Sequence, residues 1–525
     1  MSIERHHVVV IGAGPAGTAC AGMLADRGHD VALVTRPEPP AAELAESIPA
    51  SARRLMDEVG VLDAVDAADF HPNGGNTVWW AGRPERSEPF AEGLRGVHVD
   101  RAGLEAVLRA RAAERGVRVL ADAPVRSVSP LGADGWQAVA GDRTLRASWL
   151  VDASGRAGVL ARGARTDDRA TGTLALIGRW RIEGARDQPD TTHTWIESHA
   201  DGWVWSVPLT ADTRCVTAML DPRRSETERG PDPGATLETE IVRAPAIAAR
   251  LTDAVRLGEA TACPASLYTT GAFTVERALV AGDAGSFIDP LSSYGVKKAF
   301  ASGWLAAIAV HTSITDESMW EAAFAYFDAR EREVYRRYRA LSVPFFEEAA
   351  ETYGTEFWTA RAAAARRAAT GEGAGSAIDA GAIDAAPIDP ADALAADVDA
   401  DARVGDLDVR EAYEEIRRRP GVQLVPGRTL EKTTRPLVRG DRIVLADHLS
   451  SGRLARPVRY VRHVDLVTLV ELAPRYDQVP DLFEAYERRA TRVELPDFLG
   501  ALAFAVGKGF LDLPDWRPTR PDVTI

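Results

Sequence analysis

The first hydrophobic pattern along the chain is an unbroken apolar run, HHVVVIG, which ends in the glycine-rich turn GAGPAG. A short continuous apolar run closed by glycine predicts a strand buried on both faces. The alanine-rich TACAGMLADRG that follows reads as a helix, and HDVALVTR as a second strand, so the chain opens with a βαβ unit. SWLVDASGR and RALVAGDAGSF repeat the strand-to-turn pattern further on. Residues 202–208, GWVWSVP, differ because large and small positions alternate. Alternation predicts a strand with Trp203 and Trp205 on one face, Val204 and Ser206 on the other, and Pro208 ending it. From Glu317 to Arg367 the pattern becomes charged and helical, and its aromatic cluster, including Phe345, Phe346 and Trp358, requires a packing partner.

Residues 368–403 lose aromatics and become rich in Ala, Gly and Asp, with the near-repeats SAIDAG, GAIDAA and APIDPA. Such a composition is expected to form a linker, because it cannot bury enough surface to fold alone; a surface-lying extension of the preceding domain is the alternative. The expected organisation is a catalytic domain over 1–367, a linker over 368–404 and a C-terminal domain over 405–525. In that last part VQLVPGRTL and DRIVLADHL resemble short strands. HVDLVTLVELAPRY, VPDLFEAYERRA and LPDFLGALAFAVGKGFLDL read as three amphipathic helices running into a final strand. Three helices with strands suggest a winged-helix-like α+β domain. Its balanced charge favours peptide or protein contact over DNA.

Composition narrows the partners. The 525 residues are 46% hydrophobic and 26% charged, with a net charge of −15, which argues against nucleic acid or an anionic membrane as the main partner. The three cysteines, Cys20, Cys215 and Cys263, lie far apart without metal-ligand spacing, so no metal site is expected and a reducing, cytoplasmic setting is. The chain enters a strand almost at once, which leaves no room for a secretion signal. No apolar run reaches the roughly 18 residues that span a bilayer.

The chemistry begins at GAGPAG. Gly12 permits the tight turn, Gly14 lets the backbone approach a pyrophosphate, Gly17 allows close helix–strand packing, and the helix N-terminus favours the phosphate charge. The acidic ribose ligand expected after the second strand is missing, and Thr35 and Arg36 stand there instead. Thr35 could hydrogen-bond the ribose hydroxyls and Arg36 could lie over an adenine, which weakens a nicotinamide reading more than an FAD one. ALVAGDAGSFIDPLSSYGV resembles the second FAD motif of the flavoprotein monooxygenases, which implies that Asp283 binds the ribityl chain and that the next helix points its N-terminus at the flavin. VHVDRAGLEAVL resembles that family's substrate-domain helix start, whose arginine, here Arg101, approaches the cofactor. VDASGR, Asp152 to Arg156, is the matching turn after a sheet strand.

Together GAGPAG, GWVWSVP and GDAGSFIDPLSSYG resemble the flavin-dependent halogenase superfamily, whose signature is a WxWxIP segment with a DP…SxxG segment beside the flavin. The resemblance implies an α/β, Rossmann-like FAD-binding fold with an inserted substrate-binding β-sheet domain. It also implies an FAD site that includes Gly12, Gly14, Ala16, Gly17, Thr35, Arg36, Glu46, Ser47, Arg101, Asp283, Pro290, Gly295 and Val296. A substrate pocket lined by Trp79, Trp80, Trp203, Trp205 and Tyr294 is expected, with the tryptophans as a water-excluding wall. Asp289 is expected either to face the flavin or to cap the following helix. Halogenases carry a lysine after the first FAD unit, yet this chain's lysines are Lys297, Lys298, Lys432 and Lys508, and DFHPNGGNTVWWAGRPERSEPF has none. The family's halide turn here reads Ser293, Tyr294, Gly295, and a tyrosine would crowd that pocket. ESIPASARRLMDEVG, GNTVWW and IDPLSSYGVKKAFASGWLAA look most like the non-halogenating branch, which includes flavoproteins that hydroxylate a precursor tryptophan during quinone-cofactor maturation.

The implied reaction uses reduced FAD and O2, through a flavin C4a-hydroperoxide attacked by an electron-rich arene. The electrons would come from NAD(P)H directly or from a partner flavin reductase. The expected substrate is an aromatic group, free or borne by a peptide or protein. For acid–base help the candidates are His193, Glu197 and His199, each weighed against a purely structural role. Three other readings remain open: a halogenase with a displaced lysine, a reductase-like flavoprotein, and a flavin-bound scaffold whose C-terminal module binds a partner.

Overall fold

A computed structural model describes residues 3–37, 44–167, 171–182, 191–223, 232–370 and 403–518. The expected linker lies, apart from its ends, outside the described residues. The chain divides into two compact units, Met1–Ile383 and Asp384–Ile525.

The first unit opens with β1 (Ile3–Ile11), α1 (Pro15–Asp26) and β2 (Val31–Val34), followed by β3 (Ala45–Ile48), β4 (Gly75–Trp79) and α2 (Arg101–Glu114). Next come β5 (Arg143–Asp152), β6 (Leu174–Ile182), β7 (His193–His199), β8 (Gly202–Pro208) and β9 (Thr213–Leu220). Helices α3 (Pro233–Val242) and α4 (Pro245–Arg250) precede β10 (Ala254–Pro264) and β11 (Ala278–Val280). The unit closes with α5 (Gly295–Thr315), α6 (Trp320–Leu341), α7 (Val343–Tyr353) and α8 (Glu356–Thr370).

The apolar run of β1 is central, with Val8, Val9 and Val10 buried. It pairs in parallel with β2 and with β5, and β5 pairs in parallel with β11. These strands therefore end together, at Ile11, Val34, Asp152 and Val280, and deliver their loops to one edge of the sheet. In open α/β sheets that carboxyl edge is where ligands bind. Behind it α1 crosses α5 at very close range. A Cβ on Gly303 would stand 2.2 Å from the Ala16 carbonyl oxygen, so only glycine permits the approach.

Among the described residues a second sheet has seven strands, in the order β10, β6, β9, β8, β7, β4 and Arg86–Pro89. Its neighbours are antiparallel except for β7 and β4. It is covered on both faces, which explains why its central strands β6 to β9 are mostly buried, while the edge strands β10 and Arg86–Pro89 are not. One face packs Trp180, Trp195 and Val204 against Leu237 and Ile241 of α3 and Ile247 of α4. The other packs Ile196 and Trp203 against Trp80, Phe346, Phe357 and Trp358, so the aromatic cluster of the helical region finds its partner there.

The second unit contains α9 (Leu407–Arg418), a long hairpin of β12 (Glu431–Arg439) and β13 (Arg442–Ser451), then α10 (Leu466–Leu472), α11 (Val479–Arg489) and α12 (Leu495–Gly507). The three expected helices and the final strand, Leu511–Asp512, are in place. The helix α9, which the sequence reading did not assign, precedes them. DRIVLADHL falls on β13, whereas VQLVPGRTL contributes only the short strand Val425–Pro426 and β12 follows it. Their core includes Val409, Ile416, Leu469, Tyr486, Phe498 and Phe504. Among the described residues no helix is long and apolar enough to cross a membrane.

Candidate functional site

Three loops meet at the carboxyl edge of the first sheet, and the backbone links them in series. Gly12 N–H donates to the Val34 carbonyl at 2.7 Å, Ala153 N–H to Ile11 at 2.8 Å, and Ala281 N–H to Asp152 at 2.8 Å. Gly12 has φ +104°, and a Cβ there would lie 2.2 Å from the Ala153 carbonyl oxygen. Gly17 would drive its Cβ to 1.8 Å from the Gly12 oxygen. At Gly14 the space is open, and only the tips of Glu105 and Arg101 approach, at 3.7 and 4.0 Å. Pro15 then starts α1, whose first-turn N–H groups favour an anion.

Arg101 begins α2 behind the Asp100 N-cap. It donates to Glu46 on β3 and to Glu105 one turn on, both at 3.0 Å. Burial opposes the Arg101 charge, but Glu46, Glu105 and Asp283 together hold the guanidinium firmly protonated. Burial likewise pushes the Glu46 carboxyl up, with Arg101 pulling against it and Asp283 reinforcing it. Segments far apart in sequence thus share one electrostatic neighbourhood. Asp283 sits in the Gly282–Ala284 turn, and its Oδ1 is buried without a hydrogen-bond partner. The nearest cation is Lys298, 3.5 Å away on α5. An orphaned carboxylate oxygen beside a glycine cradle and a helix N-terminus suits a dinucleotide with both hydroxyls and phosphates. These residues fit FAD.

The remaining expected cofactor positions divide. Ala16 packs where α1 meets α5, beside Gly282. Ser47 Oγ accepts from Asn73 Nδ2 at 3.0 Å and Thr194 Oγ1 at 2.9 Å, so its bonds brace β3 against the short strand His71–Asn73 and against β7. Thr35 is half-buried at the end of β2 and Arg36 is exposed beyond it. Pro290 opens a short helical turn that Asp289 caps through the Leu291 N–H at 2.9 Å, which is the capping role for that aspartate. Gly295 starts α5 in open space, and Val296 is buried behind it.

Two residues that sequence reading passed over hold these turns. Arg165 donates to the carbonyls of Gly155, Asp283 and Ala284, at 3.1, 3.2 and 2.7 Å. Tyr268 OH donates to Asp283 O at 2.6 Å, and the Arg165 guanidinium lies 4.2 Å over its ring. No local pattern marks them, because each acts on a turn distant in the chain.

The pleat of the second sheet separates the aromatic candidates. Trp203 pairs with Ser198 and Trp205 with Ile196, whereas Glu197 pairs with Val204. Cross-strand partners share a face, so His193, Glu197 and His199 point away from both tryptophans. This corrects their expected catalytic role. Glu197 instead caps α4, accepting from Ala246 N–H at 3.1 Å and Ile247 N–H at 2.8 Å. His193 bonds Thr77 Oγ1 through Nδ1 at 3.0 Å. His199 lies 3.5 Å from buried Glu240, and burial lowers its pKa to about 4.

A histidine held neutral in the fold but free to charge when unfolded costs stability as pH falls from its ordinary value near 6.5 toward 4. His199→Gln is therefore expected to flatten the loss of stability across that window, measured by denaturant unfolding at each pH. An unchanged slope would show that other groups carry it.

Trp79 also lies on the far face, where Arg250 stacks 4.4 Å over its ring. Trp80 lies on the near face, donates through Nε1 to Phe345 O at 3.0 Å and meets Trp358 edge-on at 5.3 Å. Trp80 and Trp203 are thus core. Trp205 keeps exposed surface, packs against the same core cluster, and has a buried indole N–H with no hydrogen-bond partner. Tyr294 is also partly exposed and lies 5.5 Å from Tyr338 of α6, with burial raising its hydroxyl pKa. Of the five expected pocket residues, Trp205 on the near face and Tyr294 at the start of α5 stay partly exposed, as does Trp79 on the far face.

Known proteins share this arrangement. The family described as FAD binding domain matches residues 5–306. Tryptophan 2-halogenase of Chondromyces crocatus is 29% identical over 374 residues, covering 67% of this chain and 70% of that protein. The crystal structure of CmlS, a flavin-dependent halogenase, superposes with a TM-score of 0.71 at 22% identity, over 97% of this chain and 96% of its own. The peptidyl tryptophan dihydroxylase QhpG, essential for tryptophylquinone cofactor biogenesis, superposes with a TM-score of 0.64 at 20% identity, over 96% of this chain and 100% of its own. The chain belongs to the FAD binding domain family of FAD-dependent oxidoreductases and is similar to flavin-dependent halogenases.

Proposed function

We propose that this protein is an FAD-dependent monooxygenase that hydroxylates an aromatic group, with a tryptophan in a peptide or protein as the substrate class. The observation that carries this is the fate of the lysines. A halogenase needs an ammonium free to meet hypohalous acid between flavin and substrate, and the early segment has none. Lys297 and Lys298 are both buried. Lys297 is 3.4 Å from Ser51 Oγ, and Lys298 donates to Ser286 O beside Asp283. The Lys298 ammonium thus braces the Asp283 turn, and the Lys297 ammonium is directed to Ser51.

When bound and reduced, FAD supplies the electrons that activate O2. The chain's own residues bind and shield. The Gly12 cradle and α1 hold the pyrophosphate, and Asp283 accepts from the sugar-chain hydroxyls. The exposed part of Trp205 forms an apolar wall that excludes water. On the same face Ser198 is satisfied internally, since its Oγ accepts from Ala81 N–H at 2.7 Å and its carbonyl from Tyr353 OH at 2.9 Å. The inserted-sheet substrate domain, the division into 1–367, 368–404 and 405–525, and a peptide-binding winged-helix role for 405–525 belong to the same proposal. So do a partner flavin reductase and a cytoplasmic location.

Halogenation of an aromatic substrate is the second reading, favoured by the relatives named tryptophan 2-halogenase and flavin-dependent halogenase. One experiment separates the two. The FAD-loaded protein is supplied with reductant, O2 and tryptophan-containing peptides, with and without chloride or bromide, and products are weighed by mass spectrometry. A product heavier by one oxygen and indifferent to halide is expected. A halide-dependent product carrying halogen would overturn the hydroxylase reading.

A further inference from the structure

Beneath the Asp283 turn, α5 presents two side chains that together grip it. Lys298 and Ser302 are four residues apart on the helix, so they leave it on one face. Ser302 Oγ accepts from Gly282 N–H at 2.7 Å. The Lys298 ammonium donates to Ser286 O and stands 3.5 Å from Asp283 Oδ1. Both residues are 2% exposed. On its other side the turn meets α1, where a Cβ on Gly282 would lie 3.0 Å from that of Ala16. Asp283 is divided by this arrangement. Its Oδ1 is buried without a hydrogen bond, in the field of the ammonium, while 19% of the side chain stays exposed. A buried ammonium is costly to keep without a counter-charge, and the Asp283 carboxylate stands where it supplies one.

We propose that Lys298 is a positioning residue for the flavin and that it acts through Asp283. The ammonium holds Oδ1 from below and so fixes how the rest of the carboxylate is offered to the cofactor's sugar-chain hydroxyls. Ser302 keeps the backbone of the turn in place beside it. The role rests on the FAD reading of the site and gives the buried lysine a share in that site's affinity. A lysine that only tied α5 to the Ser286 carbonyl would support the fold, but its effect on FAD would not depend on what stands at position 283. The ion pair makes that difference. With the ammonium gone, Oδ1 is left buried and unpaired, and the carboxylate turns toward whatever donor or water it can reach.

The test uses the full chain as wild type, Lys298→Met, Asp283→Asn and the double variant. FAD affinity is read by flavin fluorescence, and folding by circular dichroism. Lys298→Met keeps a long side chain without its charge and is expected to weaken FAD binding about tenfold, the usual cost of an orphaned buried polar group. Asp283→Asn should weaken it at least as much. The double variant should bind no worse than Asp283→Asn alone, because residues that act through one another do not add. Losses that multiply in the double variant would overturn the proposal, as would wild-type affinity in Lys298→Met. If Lys298→Met does not fold, recovery of folding in the double variant, where no charge is stranded, supports the pairing, and failure there as well overturns it. Failure of wild type itself to bind FAD would overturn the cofactor reading and this inference with it, an outcome distinct from multiplied losses.

Discussion

Gly12→Ala is expected to yield a folded, colourless protein. The residue sits at φ +104°, and a methyl group would meet the Ala153 carbonyl oxygen at 2.2 Å. The neighbour is backbone, fixed by the Ala153 N–H bond to Ile11, so it has no side chain to swing aside. Strained left-handed geometry alone costs about 1–3 kcal/mol, and the clash adds to it by forcing the first two loops apart. Because those loops are two of the three that meet at the sheet's edge, FAD affinity should fall on the order of 100-fold, a figure that corresponds to ~2.7 kcal/mol. Visible flavin absorbance of the purified protein and FAD titration would check it. Gly28→Ala is the control: Gly28 has φ +78° but nothing within 4 Å of the new Cβ. It should lose only about 1 kcal/mol of stability and stay yellow. Retention of flavin by Gly12→Ala would show that the turn does not hold the cofactor.

Trp358→Ala should have the largest effect on stability. The indole is fully buried, meets Phe357 at 4.8 Å and Trp80 at 5.3 Å, and donates to His199 O at 2.8 Å. Truncating such a residue removes apolar contacts and leaves a cavity, at about 3–5 kcal/mol, and it also leaves the His199 carbonyl without that donor. Denaturant unfolding should show the loss in the transition of the first unit while the second unit's transition stays in place. Trp358→Phe restores much of the volume and should recover more than half the loss. A change below about 1 kcal/mol in Trp358→Ala would mean that the aromatic cluster is not what holds α7 and α8 to the sheet.

The strand–turn–helix units were readable in advance because their signals are local. The run from Val8 to Ile11, the spacing from Gly12 to Gly17 and the Asp283 turn each carry their meaning within a few residues. The faces of the second sheet were a different matter. That Trp203 and Trp205 share a side follows from alternation, but whether His193, Glu197 and His199 join them depends on register. The two-residue turn at Ala200 and Asp201 sets that register, pairing His199 with Gly202 and hence Glu197 with Val204. Counting across the turn would have placed the three residues on the opposite face. Trp79 and Trp80 show the same lesson, since neighbours on a strand point opposite ways. Arg165 and Tyr268 lay beyond reach for another reason. Both act on the Asp283 turn, 118 and 15 residues away, with no periodicity to announce it.

The two-sidedness of the second sheet gives anyone redesigning this protein a parity rule. On β7 the even positions 194, 196 and 198, and on β8 the odd positions 203, 205 and 207, share the side that carries Trp205. The intervening positions look toward α3 and α4. Within the first set only Trp205 keeps exposed surface, the rest being buried. A library at Trp205 would therefore vary the proposed wall while leaving the Glu197 cap and its helix untouched. Strand polarity thus divides the same fourteen residues into a side with one position open to change and a side that should be left alone.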